Sequence, residues 1–302
     1  MMKGLPALFA LILLTVACSE PYDLKTRSTD KVFLCVEAPL TNIPSVQTIR
    51  LTESVSYQSS GDVPEVSGAD VRVSDGETIT VFSERPGAPG HYDSPVNFCC
   101  RKGKKYTLSI ECHLSTGKTG HYEASSEMAD DGFDIEKIDY KYLGPLADST
   151  WVVGIWGTDR PQTSYFIVTT AVNGAISPAT SLLERSMLMP DTYFNGARVN
   201  GFPIGFMYQF ADQVKKYGPC AKPLETGDIV SLVVYTMTKD YYDFVMALSS
   251  SASAMSIPII SSQPANIPSN IEGDDAVGFF ATCPVMVSSC IVDDPFRRDF
   301  KQ

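Results

Sequence analysis

Histidines, cysteines and clustered carboxylates are the residues of this chain that could do chemistry. The three histidines are His91, His113 and His121, so no histidine-based centre can lie wholly in the second half of the sequence. Cys112 and His113 are adjacent and have the residue types of a nucleophile and its base. They end the run Lys105 to Cys112, in which Tyr106, Leu108, Ile110 and Cys112 alternate with polar residues. Neighbouring strand residues point to opposite faces, so the two side chains are expected to diverge. No G-x-S-x-G elbow, H-E-x-x-H pair or Walker A loop occurs. Asp130, Asp131 and Asp134 put three carboxylates within five residues, enough in principle to hold calcium. The alternating ligands and closing Glu of an EF-hand are missing, so the cluster reads as a solvated turn. Asp274-Asp275 and Asp293-Asp294 are weaker versions of the same feature. These residues predict a non-enzymatic protein with no catalytic centre, no metal site and no cofactor. A net charge of −11 without clustered Lys and Arg also argues against a nucleic-acid partner.

Cysteine chemistry points elsewhere. Lys3 precedes an apolar run from Leu5 to Ala17, interrupted only by Pro6 and Thr15. The run is shorter than the ~20 residues needed to span a bilayer, but has the length of a signal-peptide core. It closes as Leu14-Thr15-Val16-Ala17-Cys18, similar to the lipidation box of bacterial lipoproteins, with Thr15 where Leu is usual. Residues 1–17 are therefore read as a removed signal peptide, Cys18 as the lipidation site and residues 18–28 as a tether. Acylation anchors at about 0.8 kcal/mol per buried methylene, so several chains hold stably. The remainder would sit outside the inner membrane, in an oxidising compartment. Seven further cysteines are candidates for disulfides there: Cys35, Cys99, Cys100, Cys112, Cys220, Cys283 and Cys290. The count is odd, so at least one stays unpaired within the chain, and free buried thiols are the competing reading. Cys99 and Cys100 are adjacent and no CxxC occurs, which removes zinc-ribbon spacing.

The elements that must position these residues are strands. The 302 residues are 44% hydrophobic and 20% charged, ordinary for folded chains and enough for two modest cores. Short segments with two-residue alternation recur at Lys31 to Glu37, Val46 to Tyr57, Val71 to Val73, Ile79 to Phe82, Gly90 to Tyr92, Lys105 to Cys112 and His121 to Met128. Asp75-Gly76 marks a turn, and Gly117 and Gly120 bracket another. This spacing predicts a transthyretin- or Ig-like sandwich over residues 29–128. Asp130-Asp131-Gly132 marks the boundary to a β-rich second domain, residues 129–302. That domain contains strands at Ile135 to Tyr142, Trp151 to Trp156, Tyr165 to Val172 and Ile229 to Met237. Residues 175–225 read as long loops between short strands. Tyr241, Phe244, Val245 and Leu248 then fall on one face of a helix over 239–249, with Thr238 as cap. Packing on the second domain is the expected role of that face. Ala276 to Val287 predicts a final strand pair. Trp151 and Trp156 are an odd number of residues apart, which puts one in the core and the other outside, near Tyr140, Tyr142 and Tyr165. An outward tryptophan could stack on a sugar or peptide; two buried ones would simply pack.

Several stretches, in order, carry a family likeness: Val32 to Glu37 leading into Leu40-Thr41-Asn42, Thr48 to Thr52, Gly68 to Asp75, Gly90-His91-Tyr92 and Gly103 to Leu108. Asp240-Tyr241-Tyr242-Asp243-Phe244 opens the helix, and Pro264 to Ile271 precedes Val277-Gly278-Phe279-Phe280-Ala281. Gly278 is expected at a bulge or a close backbone approach. In these features the chain resembles the DUF4249 lipoproteins of Bacteroidota. The resemblance implies an all-β outer-membrane lipoprotein, often encoded near TonB-dependent transporters, and brings no catalytic residue. The expectation is an accessory or ligand-binding partner of such a transporter, taking a small ligand, peptide or glycan. A structural or adhesive surface lipoprotein is the alternative. The acidic tether of Ser19, Glu20 and Asp23 resembles surface-export signals and suggests display outward.

Overall fold

The computed structural model describes residues 31–55, 62–144, 150–176, 187–190, 192, 194–208, 223–254 and 267–301. Residues 32–302 form one compact unit. It is all-β, with one helix among the described residues. No helix there is long and apolar enough to cross a membrane.

Seven strands come from the first part of the chain: β1 (Leu34–Thr41), β2 (Thr48–Glu53), β3 (Asp70–Ser74), β4 (Ile79–Glu84), β5 (His91–Asp93), β6 (Lys105–His113) and β7 (Thr119–Glu127). Burial alternates along them, as the two-residue period requires, except at the end of β2, where Leu51, Thr52 and Glu53 are all buried. In β6 the inward set is Tyr106, Leu108, Ile110 and Cys112. The β3–β4 turn forms where Asp75-Gly76 predicted it. Asp75 Oδ1 accepts the N–H groups of Glu77 and Thr78 at 3.0 and 2.8 Å.

The expected division at residue 128 is crossed. The first sheet runs β15-β1-β2-β5-β4-β3-β6-β7, and its eighth strand, β15 (Ala276–Cys283), comes from the end of the chain. β15 lies parallel to β1 with Leu34 opposite Ala276 and Thr41 opposite Cys283. Its Phe280 is wholly buried in the first core beside Leu34, Val36 and Leu40. On its other side, Thr282 N–H donates to Ser126 Oγ of β7 at 3.0 Å, bringing the two ends of the sheet together. A parallel neighbour cannot be supplied by a hairpin, so it must arrive by a long connection. That is why local spacing did not reveal it.

The second sandwich packs a three-stranded sheet, β13-β9-β8, on a five-stranded one, β11-β10-β14-β16 with β12 also on β10. Its strands are β8 (Phe133–Gly144), β9 (Thr150–Asp159), β10 (Tyr165–Val172), β11 (Ala175–Ile176), β12 (Met187–Pro190), β13 (Arg198–Tyr208), β14 (Ile229–Met237) and β16 (Val285–Ile291). β13 is an eleven-residue strand inside the stretch expected to be mostly loop. Register shifts beside Gly201 and Pro203 break its alternation and hide it from a period search. Trp151 is fully buried in this core. Trp156 lies on the opposite face, half-buried, with Phe300 packed edge-on at 5.3 Å.

Between β15 and β16 only Pro284 intervenes, so the chain passes from one sandwich into the other across a single residue. The helix α1 (Lys239–Ala254) packs over this crossing. Thr238 Oγ1 accepts from Tyr241 N–H at 3.3 Å, the expected cap. The helix was expected to lie on the second domain, and it packs there, Tyr242 on Tyr165 of β10 at 4.9 Å between ring centroids. Tyr241 and Phe244 also pack on Phe279 of β15, each at 5.2 Å between ring centroids. Val245, Ile167, Met237 and Cys283 complete this third core, which joins the sandwiches.

Candidate functional site

Where the two sandwiches meet, a cavity of about 330 Å³ opens on the outer face of the five-stranded sheet. Strand alternation builds its floor. Residues 231, 233 and 235 of β14 share one face with 285, 287 and 289 of β16, since Ser231 pairs with Ser289, Val233 with Val287 and Tyr235 with Val285. Ala171 of β10 and Gly174 extend the floor, and Thr41 and Ile43, at the end of β1, form the facing wall.

Two amides hold that wall. Asn42 Oδ1 accepts from Val285 N–H at 2.7 Å, and its Nδ2 donates to Val285 C=O at 3.4 Å. Gln47, only 6% exposed, takes the N–H of Thr41 on Oε1 at 2.6 Å. Its Nε2 is shared among the carbonyls of Thr41, Ile43 and Phe98 at 2.9, 3.2 and 3.1 Å. A loop tied at this many backbone atoms keeps its shape, so the groove is preformed.

None of the described lining residues is charged. The Ser231 and Ser289 hydroxyls satisfy one another at 2.8 Å. Tyr235 is half-buried, and desolvation raises its phenol above the ordinary value, keeping it neutral. Val287 and Ile43 remain 54% and 40% exposed. The groove can therefore bind by apolar contact, with the Tyr235 phenol and the Thr41 and Ser231 hydroxyls as the polar groups of its lining. A second apolar gap, inside the second sandwich between Phe133 and Val234, is about 10 Å³ and no larger than a water.

Residues singled out from the sequence lie apart from the groove. Cys112 is buried in the first core while His113 is exposed against Thr119, so the pair diverges as alternation demands. His91 and His121 are on separate strands, and His121 is exposed between Glu111 and Glu123. Two of the three clustered carboxylates pair with cations, Asp131 with Lys102 and Asp134 with Arg160 at 2.9 Å. Among the described residues, no group of three or more potential ligands could hold a metal.

The six described candidates for disulfides, Cys35, Cys99, Cys100, Cys112, Cys283 and Cys290, are free thiols. Cys18 and Cys220 lie outside the described residues. Strand geometry separates the thiols. Leu34 N–H bonds Asp275 on the β15 side, so alternation turns the carbonyl of Thr41 to the other side, where Cys100 N–H binds it at 2.9 Å. Cys283 sits opposite Thr41 on β15. One strand thus stands between them, a separation of roughly 10 Å from two strand spacings, beyond the ~7 Å limit for a bridge. Cys112 faces the core, whereas Cys35 alternates outward from it beside Thr52. Burial pushes the Cys100 and Cys283 thiols up to about 12, and those of Cys112 and Cys290 to about 11. Thiols held this way are protonated and unreactive at neutral pH.

No signal in the sequence marked Gln47 and Asn42 as the braces of a groove, nor Val233, Tyr235 and Val287 as its floor. A weak one exists: β16 places Val285, Val287 and Ile291 on one face and ends a sheet without a single charge.

Fold and groove together define a double β-sandwich with an apolar cleft at the junction. Residues 19–289 match the family model described as "Domain of unknown function (DUF4249)", and the chain belongs to that family. Comparison with curated proteins and with solved structures returns no match.

Proposed function

We propose that this chain is a non-enzymatic, lipid-anchored outer-membrane protein that serves as the binding accessory of a TonB-dependent transporter. The preformed uncharged groove carries the binding part of this reading. The apolar run ending at Cys18 supports the anchor, and the transporter is what the resemblance to the DUF4249 lipoproteins implies. Acyl chains confine the protein to the membrane plane and raise its effective concentration near a transporter.

Three measurements test this. An alkyne fatty acid should label the wild type and spare Cys18→Ser; equal labelling of both would remove the anchor. Protease added to intact cells should digest a protein that faces outward. Crosslinking in the membrane should recover a large β-barrel partner, and repeated recovery of none would favour a structural or adhesive role.

A further inference from the structure

The groove has a chemical selectivity that its lining already contains. Its walls come from a chain with 59 charged residues among 302 (24 basic, 35 acidic), yet no described lining residue is charged. A charged ligand entering it would give up hydration with no counter-charge to meet it. An apolar ligand gains roughly 25 cal/mol for each Å² it removes from water, including the exposed surface of Val287 and Ile43. At about 330 Å³ the cavity lies at the small end of the range of ~300–1,000 Å³ typical of small-molecule pockets. Its wall is fixed by Asn42 and Gln47 rather than left to adapt. The serine pair on its floor is hydrogen-bonded within itself, which leaves the Tyr235 phenol and the Thr41 hydroxyl of the wall as the polar side chains on offer.

We propose that the groove between the Thr41–Ile43 wall and the outer face of β14 and β16 binds an uncharged, mainly aliphatic small molecule, with Tyr235 as its polar handle. This deepens the accessory reading by naming the ligand class, and rests on the groove alone, not on the transporter.

The test is calorimetric titration of the full-length chain carrying Cys18→Ser, with 1-dodecanol, dodecanoate and dodecylammonium, all below micellar concentration. Saturable one-to-one binding of dodecanol is expected, at least tenfold tighter than either ion. Val287→Lys and Ile43→Lys place a cation on opposite sides of the groove and should each weaken dodecanol at least tenfold. Both side chains are partly exposed, so a folding defect in one leaves the other as the test. Val81→Lys, on β4 and 51% exposed, is the control and should bind as the parent does. Absence of saturable binding, tighter binding of an ion, or undiminished binding by both groove variants would overturn the proposal. So would dodecanol binding that disappears in the acylated protein, which would make the chain's own acyl group the occupant. Crosslinking to a transporter is independent of these outcomes, so failure here leaves the accessory role standing, and the reverse.

Discussion

Replacing Gly278 by alanine tests the least expected feature of the fold, the parallel pairing of β15 with β1. Gly278 has φ +119°, a conformation L side chains rarely adopt, and a Cβ built there would sit 2.1 Å from the carbonyl oxygen of Val36. Two costs follow. Backbone strain of this kind amounts to ~1–3 kcal/mol. Relieving the overlap means moving a strand whose side chains are fully packed, a further ~1–3 kcal/mol. The total of roughly 2–6 kcal/mol is a large share of a native stability of ~5–15 kcal/mol. Gly76→Ala is the matched control, since Gly76 has φ +88° and nothing within 4 Å of a built Cβ. It should carry the strain alone, ~1–3 kcal/mol. Urea unfolding followed by far-ultraviolet circular dichroism measures both, with an unchanged slope confirming that stability alone has shifted. Gly278→Ala should be the more costly by at least ~1 kcal/mol. If the two variants unfold at the same urea concentration, Val36 does not lie against Gly278 and the eighth strand is misplaced.

Other expectations concern buried polarity. Arg297 and Asp139 pair at 2.5 Å with side chains only 15% and 9% exposed, so Asp139→Ala should cost ~3–5 kcal/mol by leaving a buried guanidinium, still bonded to the Tyr140 carbonyl, without its counter-charge. Adding Arg297→Leu should restore part of that in thermal unfolding, and a double variant no more stable than the single would refute the account. Alkaline stability should fall because the folded state keeps thiol protons that the unfolded state releases. Cys100 and Cys283 stay protonated to about 12, against an unfolded value near 8.5, so stability is intact below pH 8 and declines between about pH 9 and 12. The slope is at most about 1.4 kcal/mol per pH unit for each thiol, and Cys283→Ala should make it shallower. An unchanged slope in that variant would place Cys283 in water.

Much of this protein was legible in residue order, and the legible part is local. β10 and β14 run over the residues that alternation and apolar runs marked, Tyr165 to Val172 and Ile229 to Met237. The helix starts at its predicted cap because Thr238 needs only the N–H three residues on. The divergence of Cys112 from His113, and of Trp151 from Trp156, follows from a two-residue period that no tertiary contact alters. Glycine 278 announced a close approach, though not what approached. Tertiary structure alone decided the rest. Pairing β1 with a strand more than 200 residues later leaves no mark on either strand's own pattern. The groove depends on that pairing twice over: β15 leads directly into β16, whose Val285 and Val287 form the floor, and Asn42, just past β1, reaches Val285 to hold the wall. Residues brought together by folding from positions 41, 171, 231 and 285 share no spacing a sequence can display, whereas hydrogen-bond alternation and helix caps act over a few residues and are written wherever they occur.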